Sequence, residues 1–192
     1  MIINTGGRTD TVQYYTKWLL KRFEEGFVYS RNPLFPNKVV CYELTPDKVD
    51  CVIFCSKNYE PILDDLSKLI IRFPTYFYYT ITAYGKDVEP GVPSIEKSME
   101  TLKKLSAIVG KQRLAWRYDP VLLTEKYTIQ THLETFEEMA KELAPFVDRC
   151  IFSFVEMYRK LESNMPELIP LTEDDQNALA KEIGRASCRE RV

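Results

Sequence analysis

The chain has no long hydrophobic run, no marked excess of charge of either sign and a single histidine. Each scarcity closes off a class of function. No stretch of about 18 apolar residues is present, so no membrane-spanning helix is expected. A formal net charge of -2 with 28% charged residues gives no basic field for nucleic acid and no polybasic patch for a membrane surface. The amino terminus, residues 1–7, lacks the apolar core of a signal peptide, and the expected compartment is the cytoplasm. The one histidine, His132, lies in a helical pattern with no second ligand four residues on, so metal binding is not expected of it and a surface or packed role is. Five cysteines, an odd number scattered through strand-like segments, read as reduced thiols rather than a disulfide framework.

What is present is a chain of 192 residues, 45% hydrophobic, long enough to bury a real core as one domain or a large part of one. Its patterning is organised around residues 114–123. There an apolar run ends in Arg117 and Asp119, and Pro120 is expected to stop further ladder pairing. Ligands of crossover-fed sheets are met at the carboxyl ends of the strands. Arg117 and Asp119 are therefore candidate ligand residues, with a structural ion pair as the alternative.

In chain order, Ile2 and Ile3 begin a strand, and residues 6–10 turn it into a helix with Asp10 and Gln13 at capping-box spacing. Val12, Tyr15, Leu19 and Phe23 form its apolar stripe and Gly26 its stop. Gly6 and Gly7 can present amides to an anion, with Arg8 adding charge, or can simply make the turn. Residues 27–30 and 38–44 read as a hairpin whose loop holds Arg31. A strand over residues 50–55 ends at Ser56, Lys57 and Asn58; Lys57 is either a ligand group or a solvated lysine. A helix opened by Pro61 precedes a strand over residues 76–83, where Thr82 suits a barrel lumen. Ser94 caps the next helix, stopped by Gly110, and Thr128 caps another, stopped by Pro145. The last strand, residues 149–155, carries Ser153 near its carboxyl end, without the glycines of a nucleophile elbow.

Strand and helix alternate through most of the chain, which argues for an α/β fold: about five parallel strands with outer helices and one hairpin excursion. A closed TIM-type (β/α) barrel needs eight strands and typically ~250 residues. The expected architecture is accordingly an incomplete barrel over residues 1–182. Residues 183–192 can be encoded by ATC GGA AGA GCG TCG TGT AGG GAA AGA GTG, a string that resembles a common sequencing adapter, and GAG for Glu182 extends the match. That tail is expected not to be native, with the natural gene continuing past residue 182.

Six segments together resemble one prokaryotic family, catalogued as domain of unknown function 1848. They are residues 7–10 (GRTD), 28–33 (VYSRNP), 52–58 (VIFCSKN), 80–85 (TITAYG), 116–120 (WRYDP) and 151–155 (IFSFV). The resemblance implies a barrel whose carboxyl-terminal part carries a cysteine cluster similar to the iron-sulfur site of radical S-adenosylmethionine enzymes. In this chain that cluster would lie beyond Glu182. Cys51 and Cys55 have the first spacing of a C-x-x-x-C-x-x-C motif, but the third position is Asn58. No cofactor is therefore expected in the fragment, whereas a 4Fe-4S cluster and S-adenosylmethionine are expectations for the full-length protein.

Two functions stand open. One is a fragment of an iron-sulfur barrel enzyme, with Arg8, Lys57, Arg117 and Asp119 at its mouth. The other is a cluster-independent module that binds a small anionic ligand or a protein partner without catalysis. The ligand-binding candidates are Arg8, Asp10, Arg31, Lys57, Asn58, Thr82, Arg117, Asp119 and Ser153, with no metal ligand expected, and which residues would be catalytic is not readable. Oligomeric state is not readable.

Overall fold

The computed structural model describes residues 1–190, and the chain divides into two compact units, Met1–Tyr78 and Tyr79–Val192. In the first unit, β1 (Ile2–Asn4) pairs in parallel with β4 (Cys51–Ser56), Ile3 opposite Val52. Between them runs α1 (Thr11–Glu25), started by the Asp10 side chain accepting from the Gln13 amide and ended at Gly26, whose φ of 81° is open to glycine without strain. Val12, Leu19 and Phe23 form its buried stripe as expected. Tyr15 does not join them and is 53% exposed, because its own φ and ψ of -134° and 27° break the helical repeat at that residue.

The expected hairpin is present as β2 (Phe27–Arg31) and β3 (Val39–Glu43), an antiparallel pair outside the main sheet. Its loop is shaped by Asn32, whose side-chain oxygen accepts from the amides of Leu34 and Phe35. Strand β4 alternates, with Val52, Phe54 and Ser56 buried and Cys51, Ile53 and Cys55 half-buried. Pro61 sits in a short 3-10 turn that leads into α2 (Leu63–Ile70), and Ile62, Leu66 and Leu69 turn inward. Phe77 enters this core on β5 (Thr75–Thr80) and stacks on Phe54, centroids 5.0 Å apart.

In the second unit, α3 (Ile95–Val109) is capped by Ser94, and α4 (Ile129–Leu143) by Thr128. They flank β6 (Leu114–Val121), which pairs in parallel with β7 (Arg149–Phe154). Trp116 of β6 is fully buried, stacked on Phe136 of α4 and donating its indole N–H to the Ile81 carbonyl at 2.9 Å. The expectation that Pro120 ends this strand is corrected. A register shift between Tyr118 and Val121 lifts Asp119 and Pro120 out of the ladder, so the missing proline N–H forfeits no bond, and pairing resumes at Val121 opposite Phe154. After α5 (Arg159–Asn164) comes α6 (Glu173–Glu190), which packs on α4 and buries Leu179, Ile183 and Ala186. Residues 183–190 continue this helix.

Along the five-stranded parallel sheet the order is β1-β4-β5-β6-β7. The fold is α/β, and no closed barrel forms among the described residues. No described helix is long and apolar enough to cross a membrane.

Candidate functional site

Of the nine candidate residues, five lie in the first unit and four in the second. In the first, Asp10 is occupied by the fold. Its carboxylate accepts from the Gln13 amide at 2.9 Å, the Ser56 hydroxyl at 2.8 Å and the Lys57 amide at 2.9 Å. Asn58 donates its amide to the Ser56 oxygen and accepts the Glu60 amide on its side chain. The end of β4 and the start of α1 are thereby knitted together. Ser56, which the sequence reading passed over, is the buried centre of that knot; its signal was the in-out alternation with Val52 and Phe54.

Gly6 serves the same junction. A Cβ there would lie 2.7 Å from the Cys55 carbonyl oxygen, so the close approach of loop to strand requires glycine. Its amide is bonded to the Asn4 side chain, and of the two roles open to it, making the turn is the one observed.

Arg8 and Arg31 do come together. The Arg8 guanidinium donates to the Arg31 carbonyl at 2.7 Å, bridging the loop to β2. Both line an open cavity of about 500 Å³ between β1, α1 and β2, with Trp18, Arg22, Phe23 and Tyr29 among its other walls. Three arginines thus face one space, and no aspartate or glutamate lines it. Arg22 sits over the Phe27 ring and pairs with Glu25 at 2.7 Å, yet its Nε is buried with no hydrogen-bond partner. Trp18 and Arg22 were not singled out from the sequence. Their four-residue spacing beside Leu19 and Phe23 places them together at the margin of the apolar stripe.

In the second unit the Arg117 guanidinium is closed against Asp119, whose other oxygen accepts the Ser153 hydroxyl. Thr82 is engaged elsewhere, donating to Glu89 at 3.1 Å. Nearby is a network that sequence reasoning did not foresee. His132 is wholly buried, which settles its open placement as packed. Its Nε2 faces the Leu122 carbonyl at 2.8 Å and so carries the proton, leaving Nδ1 to accept from the Tyr118 hydroxyl at 2.8 Å. Burial holds its pKa below the usual histidine value, against a smaller opposing effect of the Leu122 bond. Tyr84 accepts the Leu122 amide and donates to the Pro120 carbonyl, and burial pushes both Tyr84 and Tyr118 upward. These groups hold the irregular end of β6.

The cysteines do not fit an iron-sulfur cluster. Cys51 and Cys55 share one strand, about 13 Å apart along it. Burial pushes the Cys150 thiol up to about 12, unsuited to a thiolate ligand. Among the described residues no group of three His, Cys, Asp or Glu side chains could hold a metal ion.

Fold and site together define an α/β protein with a parallel sheet and an arginine-lined cavity beside its first crossover helix. The chain belongs to the family described as domain of unknown function (DUF1848), whose family model matches residues 2–192. No curated protein and no solved structure matches it.

Proposed function

We propose that this chain binds a small anionic molecule in the cavity of its first unit. The observation that carries the reading is the charge of the walls: Arg8, Arg22 and Arg31 line the space and no carboxylate does. Among the described residues no carboxylate pairs with Arg8 or Arg31, and Arg8 spends one of its five donors on the Arg31 carbonyl. A carboxylate or phosphate would meet forked N–H donors there, against apolar walls that weaken competition from water. The volume lies within the range of ordinary ligand pockets. Asp10, Lys57 and Asn58 then act as positioning residues for the loop that carries Arg8. Arg117, Asp119, Ser153 and Thr82 belong to a second, internally satisfied group.

In this reading the sheet is part of a TIM-type (β/α) barrel, supported by the alternation of strand and helix and by the parallel pairing. The family resemblance also supports an iron-sulfur enzyme of radical S-adenosylmethionine type. That would require thiolates which residues 1–190 do not bring together. Binding of pyrophosphate followed by titration calorimetry tests the anion reading. Saturable binding is expected, weakened at least tenfold in Arg8→Ala with an unchanged melting temperature. Equal affinity in Arg8→Ala overturns it.

A further inference from the structure

Resting on the anion reading of the same cavity, we infer that its ligand is an aromatic anion, a planar ring carrying a carboxylate or a phosphate ester. Trp18 lines the cavity and is 47% exposed, and its indole meets no other ring and no cation among the described residues. The other tryptophan, Trp116, is fully buried with both a ring partner and a carbonyl for its N–H. A large ring left half in water beside a cavity is a stacking surface without its partner.

Arg22 lies four residues on, hence on the same face of α1, and lines the same cavity. Tyr29, from the facing strand β2, is also largely exposed and lines the same space. The cavity thus offers an aromatic wall beside guanidinium donors. An inorganic ion would use the donors and leave both rings wet. A purely apolar molecule would cover the rings and leave Arg8 and Arg31 without a counter-charge. A ring joined directly to an anionic group satisfies both.

The arrangement also supplies its own reporter, because Trp18 is the tryptophan a ligand would touch and Trp116 is a buried internal control. Emission is followed while phenyl phosphate, benzoate, inorganic phosphate and acetate are titrated into the intact chain. At least one ring-bearing anion is expected to bind roughly tenfold tighter than its ring-free counterpart and to quench Trp18. The stronger of the two identifies the anionic group. Trp18→Leu abolishes the quench and brings the ring-bearing anion down to the affinity of the bare ion, and Trp18→Phe retains most of the preference, both read by calorimetry. Equal affinity for ring-bearing and ring-free anions, both lost in Arg8→Ala, overturns the aromatic assignment and leaves anion binding standing. Failure of all four probes to bind, or binding indifferent to Arg8→Ala, overturns both.

Discussion

In the first unit three arginines face one cavity with no carboxylate among its walls, whereas in the second the arginine near the end of β6 is closed against Asp119, which also holds Ser153. Both settings place charge near strand ends, and that position alone does not separate them. What separates them is how much hydrogen-bonding capacity the fold has already consumed. A guanidinium matched by a partly buried carboxylate has little left for a ligand and much to lose if its partner goes. One bonded only to a carbonyl retains most of its donors. The contrast extends to the aromatics: Trp116 is enclosed and bonded, Trp18 is not.

The contrast is most exposed to attack where the second unit is most tightly closed. His132→Ala removes a buried ring and leaves the Leu122 carbonyl and Tyr118 hydroxyl without partners. A loss on the order of 3 kcal/mol is expected in urea unfolding, with anion affinity unchanged. Asp119→Ala comes next, expected to cost about 2 kcal/mol by removing the partly buried carboxylate that Arg117 and Ser153 both bond, with part of the loss recovered in the Arg117→Ala/Asp119→Ala double variant. If Arg117→Ala abolished anion binding at unchanged stability, the roles of the two units would be exchanged.

A smaller effect follows from pH. The folded pKa of His132 lies below the unfolded value of 6.5, so just under that pH the unfolded chain binds more protons than the folded one. Stability is therefore full above about 6.5 and falls on acidification towards the folded pKa, by at most about 1.4 kcal/mol per pH unit from this group. His132→Gln should remove that component from a melting series between pH 7 and 5. Smallest in stability is Arg8→Ala, expected within about 0.5 kcal/mol of the parent, although it carries the largest change in anion affinity. A large fall in its melting temperature would place Arg8 among the structural arginines.

Much of the architecture was legible because it is written in local chemistry. Asp10, Ser94 and Thr128 announce helix starts through their side chains, Gly26 stops α1 by its φ, and the hairpin is bounded by its own turn residues. Pro120 misled because a bulge, which depends on β7, removes the position where proline would do harm. Tyr15 misled because regular spacing assumes regular dihedrals.

The site was only half legible. Arg8 and Arg31 were found, being charged residues at turns, but Trp18 and Arg22 border a stripe that reads as core. Their significance depends on the loop before α1 and strand β2 meeting around the same space, where Arg8 bonds a carbonyl 23 residues away. The satisfaction of Asp10 and Asp119 is equally non-local, since their partners Ser56 and Ser153 lie 46 and 34 residues away.

The knot at Asp10 has a kinetic corollary. Because one carboxylate both starts α1 and grips the end of β4, the loop two residues upstream is set in place when the protein folds rather than when a ligand arrives. A ligand held at Arg8 as proposed would then dock onto a preset template, with association limited by encounter and differences among ligands carried by how slowly they leave.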